Sequence, residues 1–260
     1  IHYIFQKPFR DEGKKLKEFY NIDKIARYIA HQQKRAYDID CLRHALVISF
    51  IIEKLNNNLK DNPVTCIIGD GFSFMTNLLI NMKFTNKIYL INLSKVLIAD
   101  LLYLKACIGN ELFNSSVNLV TNKDELILVE ENHKHKKKLQ IIAIQAKDFE
   151  LLEFCNFNFA INMNSMQEMN LDIIKKYFYF IKKSKSKEKI LFYCCNRVEK
   201  KLFDGSIIRF DDYPWNENDK ILFDESCPIW NQRTYKIKPP FYINYMGEIK
   251  HRLVFLSKLN

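Results

Sequence analysis

Apolar residues recur at helical spacing between about Glu12 and Leu59. Ile22, Ile25, Ala26 and Ile29 share one face, and Leu42, Leu46, Ile48, Ile51, Ile52 and Leu55 continue the pattern. This spacing predicts two or three helices before the first strand. The polar segment Asn56 to Pro63 ends in proline and closes the helical part. After Pro63 short apolar runs alternate with helical stretches, the signature of βαβ units and a mainly parallel sheet. Strands are predicted at Val64–Ile68, Lys87–Ile91, Leu139–Ile144, Phe157–Asn162, Lys189–Cys194 and Arg252–Leu256, with helices at Phe74–Met82, Ser94–Ile108 and Asn170–Lys183. A continuous apolar strand such as Thr65-Cys66-Ile67-Ile68 suits a sheet covered on both faces. The expected class is α/β, a Rossmann-like, mostly parallel sheet over residues 61–260 with helices on both faces, preceded by a helical segment over residues 1–60.

Two stretches read poorly. Gly109 to Lys138 holds either a strand pair, around Val117–Val120 and Leu126–Val129, or a surface insertion. Cys195 to Arg252 is rich in aromatics, Asp and Pro but weakly periodic, which suggests long ordered loops at one end of the sheet.

With 260 residues and 48% hydrophobic content, one sizeable core is within reach. The seven cysteines are scattered and mostly embedded in apolar runs without zinc-ligand spacing, so buried free thiols are expected, and no metal. The +10 charge would fit a polyanionic partner, but many lysines fall in two local runs, His133–Lys138 and Lys182–Lys189, of the kind that forms solvated loops. No aromatic RNA-binding motif, zinc finger or basic helix accompanies the charge, so nucleic acid is not the expected partner. No run of about 18 apolar residues predicts a membrane span, and residues Ile1 to Arg10 lack the order of a signal peptide. A soluble, cytoplasmic protein is expected. The start on Ile1 rather than Met hints at a piece of a longer polypeptide, and oligomeric state is not legible.

The sharpest local signal is Cys66-Ile67-Ile68-Gly69-Asp70-Gly71-Phe72-Ser73, a strand entering a Gly-x-Gly turn and then a helix. Such a turn lets a ligand approach the backbone closely. It is shorter than the dinucleotide GxGxxG and points instead to the looser glycine turn of enzymes that use S-adenosylmethionine (SAM); an ordinary structural turn is the alternative. Gly69, Asp70 and Gly71 are therefore candidate cofactor contacts. About 20 residues on, the second strand ends at Asn92-Leu93-Ser94, where nucleotide-binding folds present a side chain to ribose hydroxyls. SAM enzymes usually carry a carboxylate there, and Asn92 lacks its charge-assisted strength. A third signal, Asn162-Met163-Asn164-Ser165-Met166-Gln167-Glu168-Met169, delivers amides, a hydroxyl and a carboxylate to the carboxyl edge of the sheet. The spacing of Ser165 and Glu168 also fits a capping box on the next helix.

That third run, with Tyr193-Cys194-Cys195-Asn196-Arg197, Tyr213-Pro214-Trp215, Pro239-Pro240-Phe241 and Gly247-Glu248-Ile249-Lys250-His251-Arg252-Leu253, resembles the sugar O-methyltransferases of bacterial surface-polysaccharide clusters. The resemblance runs from about Pro63 to the C-terminus. It implies a Rossmann-like fold, SAM as methyl donor, a sugar or glycan acceptor and a place in polysaccharide biosynthesis. Where the family has Asp-Leu-Pro-Glu, this chain has Asn92-Leu93-Ser94-Lys95.

Methyl transfer to a hydroxyl requires alignment and removal of the hydroxyl proton. Glu168 is the first candidate base and His251 the second; each has a plainer reading, as a cap and as a packed polar residue. Asn92, Leu93 and Asn164 join the glycine turn as cofactor contacts. Ser165, Gln167, Asn196 and Arg197 would orient the acceptor, with Tyr213 and Trp215 as aromatic faces for a sugar ring. Two other readings stay open. One is a catalytically inactive SAM-fold module that binds a glycan or a partner protein, for which Asn92 speaks; the other is a nucleic-acid methyltransferase, for which only the charge speaks.

Overall fold

A computed structural model describes residues 2–55, 61–133, 138–230, 234–236, 238–243 and 247–259. Most of the segment predicted to close the helical part, and most of the first lysine run, lie outside the described residues.

The chain begins with helices α1 (His2–Phe5), α2 (Lys7–Gly13), α3 (Phe19–Gln32) and α4 (Ile39–Leu55). α3 is strongly amphipathic, burying Ile22, Ala26, Ile29 and Ala30, whereas α4 is apolar almost all round and is buried along most of its length. β1 (Thr65–Ile68), α5 (Phe74–Asn81), β2 (Lys87–Asn92), α6 (Ser94–Ile108), α7 (Asn110–Ser116), β3 (Val117–Val120), α8 (Lys123–His133) and β4 (Gln140–Gln145) follow. After a 3-10 segment at Ala146–Phe154 come β5 (Phe159–Met163), a 3-10 turn at Met166–Glu168, α9 (Leu171–Lys183) and β6 (Ile190–Arg197). The remainder holds the hairpin β7 (Glu199–Lys201) and β8 (Ile207–Arg209), then β9 (Lys220–Ser226), the short pair β10 (Thr234–Tyr235) and β11 (Tyr242–Ile243), and finally β12 (Ile249–Leu256).

Eight strands form the main sheet in the order β3-β4-β2-β1-β5-β6-β12-β9. The first six pair in parallel; β12 runs antiparallel to both β6 and β9. This is the expected α/β, Rossmann-like architecture, closed by a reversed strand. Apolar layers cover both faces. One continuous layer joins Phe9, Ile22, Leu46 and Ile51 of the N-terminal helices to Ile67, Leu78, Leu90 and Ile161, so those helices share their core with the sheet. The other gathers Ile68, Tyr89, Ile142, Phe178 and Phe192.

Three expectations are corrected. Leu126–Val129 is not a strand but part of α8, whose amino end is organised by Asn122 Oδ1 accepting from the Glu125 backbone N–H at 3.0 Å. Cys195–Arg252 is not only loop: β9 joins the main sheet, and β12 begins at Ile249 rather than Arg252. The helix after β5 is capped by Asn170, whose Oδ1 accepts from the Ile173 N–H at 2.9 Å, while Ser165 precedes and Glu168 ends a separate 3-10 turn and the two make no capping box.

Candidate functional site

From β1 the chain crosses to β2, and from β5 to β6 on the other side, so the strand order reverses between β1 and β5. Open α/β sheets leave a crevice outside the carboxyl ends of such a strand pair. Those ends are occupied here by Gly69–Ser73 and Met163–Glu168.

The glycine turn is held by backbone geometry. Gly69, Gly71, Phe72 and Ser73 all have positive φ (73°, 65°, 64° and 48°), a run that strongly favours glycine at its first positions. A Cβ at Gly69 would collide with Oγ and Cβ of Ser165, whereas one at Gly71 would meet nothing within 4 Å. The Phe72 ring tolerates its exposed position by lying under the Arg35 guanidinium (4.4 Å to the centroid) and edge-on to Tyr103 (5.3 Å). Its carbonyl accepts from Gln33 Nε2 at 2.8 Å.

Asp70 turns inward. Its two oxygens accept from the N–H groups of Met75 and Thr76, each at 2.8 Å, and so organise the start of α5. Asp100, a fully buried carboxylate on α6, accepts from the Ser73 N–H (3.1 Å) and from Asn92 Nδ2 (2.8 Å). Asn92 in turn accepts from the Leu93 N–H at 2.9 Å. The amide at the end of β2 is thus backed by a carboxylate from α6. Burial, together with the neighbouring Asp100 charge, pushes Asp70 up to about 7 against the pull of its two N–H donors. Burial raises Asp100 as well, against its donors Asn92 and Ser73.

At the end of β5 the amides tie strands together. Asn162 Nδ2 donates to the Ile68 carbonyl (2.9 Å) and to Ser165 Oγ, and Ser165 Oγ donates to the same carbonyl at 2.9 Å. Asn196 Nδ2 donates to Asn162 Oδ1 (2.8 Å), and its Oδ1 accepts from the Gln167 N–H (3.1 Å). Gln167 Oε1 accepts from the Arg197 N–H at 2.7 Å. Asn164, at φ 57°, donates its N–H to the Cys195 carbonyl (2.8 Å) and has its side-chain oxygen buried without a hydrogen-bond partner.

These ends enclose a cavity of about 700 Å³, within the range of a small-molecule or cofactor site. Gly69, Asp70, Gly71, Asn92, Leu93, Asn164, Ser165 and Glu168 all line it. The first turns of α4 supply Asp40, Arg43 and His44, and Trp230 faces Arg43 at 4.8 Å from ring centroid to guanidinium carbon. His44, packed against Phe74 at 5.4 Å between centroids, is pushed down to about 4 by burial. Glu168 is 48% exposed and pairs with Lys200 of β7 at 3.1 Å.

The other predicted residues are not brought to this cavity. Gln167, Asn196 and Arg197 belong to the network behind it. Tyr213 and Trp215 pack edge-on against Phe178 of α9, Trp215 donates Nε1–H to the Phe210 carbonyl (2.9 Å), and Arg252 lies 4.3 Å over its ring. His251 is fully buried between Phe50 and Phe223, sharing a 3.2 Å hydrogen bond with the Tyr193 hydroxyl. Asp211 and Asp224 both pair with Lys250 (2.8 and 3.2 Å) and Arg252 (3.8 and 2.6 Å), Asp219 pairs with Lys182 (3.5 Å), and among the described residues no group of three or more His, Cys, Asp or Glu can hold a metal ion. Sequence reading missed Asp100, Arg35, Arg43, His44 and Trp230. Asp100 did leave a signal, as a lone carboxylate within the apolar run Val96-Leu97-Ile98-Ala99-Asp100-Leu101-Leu102.

No protein-family model matches the chain, and no curated protein matches its sequence. Among solved structures it is similar to a protein from Thermoplasma acidophilum at 7% identity, covering 90% of this chain and 99% of that one with a TM-score of 0.46. It is also similar to a SAM-dependent methyltransferase from Methanosarcina mazei at 9% identity, with 79% and 97% covered and a TM-score of 0.45. A cyclopropane synthase from Mycobacterium tuberculosis aligns at 10% identity over 60% and 44%, with a TM-score of 0.34.

Proposed function

We propose that this chain is a SAM-dependent O-methyltransferase whose acceptor is a hydroxyl of a sugar or glycan. The observation that carries the reading is the convergence of three strand ends on one cavity: the open glycine turn after β1, Asn92 backed by Asp100 after β2, and Asn164 with Glu168 after β5. SAM, when bound, supplies an electrophilic methyl group on a sulfonium centre.

The residues fit that group. Gly71 leaves its backbone open to the cavity, Leu93 and Val96 offer apolar surface to a purine, and the unpartnered Asn164 oxygen offers an acceptor to a cationic or hydroxyl donor. Asn92, with its amide fixed by Asp100, presents a lone pair to a ribose hydroxyl. The buried Asp70 and Asp100 carboxylates favour a positively charged ligand close by. Elsewhere in the cavity wall Trp230, Arg43 and Asp40 give an aromatic face and polar partners suited to a polyol. Glu168, half in solvent and within the cavity wall, is the group that takes the acceptor proton, and Lys200 holds its carboxylate in place. Gln167 and Asn196 act by holding the β5 and β6 ends in register rather than by touching the acceptor.

The test is calorimetric titration with SAM and with S-adenosylhomocysteine, repeated on Gly71→Arg, whose side chain would enter the open space above the turn. Micromolar binding that the substitution abolishes supports the reading. No binding to the folded parent protein sinks it and favours the inactive module, for which an amide at the end of β2, already bonded to Asp100 and to the Leu93 N–H, is the relevant observation.

A further inference from the structure

A second cavity, of about 490 Å³, opens between α1, α2 and α3, away from the glycine turn. Five cationic side chains line it against two carboxylates. Both carboxylates are already engaged. Asp23 is buried under the Arg10 guanidinium and also pairs with Arg27 (2.9 Å), and Asp11 pairs with Lys14 (2.7 Å). Lys7 and Lys17 line the same cavity and form no ion pair among the described residues, although the Lys7 charge reaches Asp11 and the Lys17 backbone N–H donates to Glu53 at 3.3 Å. The mouth is apolar: Tyr3, Ile4 and Tyr20 line it while 64%, 71% and 75% exposed.

Exposed lysines beside exposed phenols and an aliphatic side chain match the anionic headgroup layer of a bilayer, where amphipathic rings settle and basic residues meet lipid phosphate. We propose that this cavity receives the phosphate headgroup of an anionic phospholipid, seating the protein on a membrane surface through α1 and α3. A soluble phosphorylated ligand would use the cations but leave Ile4 and Tyr20 in water. No described helix is long and apolar enough to cross a membrane, so the contact is peripheral.

The proposal is tested by co-sedimentation with vesicles of phosphatidylcholine alone and of phosphatidylcholine with about one-third phosphatidylglycerol. Binding is expected only to the second. Lys7→Ala and Lys17→Ala should each lower the partition coefficient about fivefold. Ile4→Ser and Tyr20→Ser should lower it at unchanged charge. All four side chains are exposed, so an unchanged unfolding midpoint separates lost binding from lost fold. Equal binding to neutral vesicles, or indifference to the four substitutions, overturns the proposal. Release from the vesicles by millimolar inorganic phosphate would mark a free-anion site, and tight duplex RNA binding lost with Lys7 and Lys17 a nucleic-acid site; either result also overturns it.

Discussion

The carboxyl ends of β1, β2 and β5 and the far side of the sheet, β6, β12 and β9, both carry polar residues into the interior, but they use them differently. At the first, Asp70, Asp100, Asn162 and Ser165 are tied to backbone groups, and the geometry so fixed leaves a cavity open beside them. At the second, Trp215, Tyr213 and His251 are enclosed by Phe178, Phe192, Phe50 and Phe223 and line no part of that cavity. Interior polar groups therefore border an open cavity in one half and a packed aromatic wall in the other. The first set stands at the β1–β5 reversal and the second away from it.

The comparison is broken hardest at Gly69. Gly69→Ala drives a methyl group into Ser165 at a positive φ, and a loss of about 3–4 kcal/mol is expected in urea unfolding, along with SAM binding. Trp215→Ala should cost about 3 kcal/mol by opening the aromatic wall, yet leave SAM affinity of the folded fraction unchanged. A fall in affinity equal to that of a cavity residue would erase the distinction between the halves.

The pH response sharpens it further. The folded pKa of Asp70, about 7, lies above the ordinary carboxylate value, so its contribution is complete below about pH 4 and is lost as pH rises through 7. His44, depressed to about 4, contributes above about pH 6.5 and loses that contribution as pH falls. Between about pH 4 and 6.5 the two slopes oppose and nearly cancel, so calorimetric unfolding should stay nearly level there and fall only as pH rises on through 7, and Asp100→Asn should flatten that alkaline arm, since it removes the like charge beside Asp70. Gly71→Ala, with free space around its Cβ, should cost only about 1 kcal/mol, from backbone strain. Smallest in stability is Glu168→Gln, about 0.5 kcal/mol or less for a half-exposed pair, with kcat falling about a hundredfold or more once an acceptor is in hand.

Periodicity carried the central strands because each is apolar on both faces: β1, β2, β4, β5 and β6 lie within two or three residues of their predicted bounds. β9 escaped because an edge strand half in solvent needs no apolar run, and Lys220-Ile221-Leu222-Phe223-Asp224-Glu225-Ser226 ends in charge. Leu126–Val129 is four residues long, too short for its period to be told apart from a strand's. The glycine turn was legible since two of the chain's six glycines stand at one strand end. Arg43 and Trp230 were not, because their approach to that turn is set by the packing of α4 and the segment after β9, which no local pattern encodes, and Asp100 showed only as a carboxylate out of place in an apolar run.

The reversed strand has a consequence for synthesis. Among the described residues β9 pairs only with β12, whose last residue, Leu256, follows Ser226 by thirty positions. At ribosomal speed that is a few seconds during which the edges of β6 and β9 both stand unpaired. The nascent chain is most open to mispairing in that interval, and a chaperone that shields strand edges would act then.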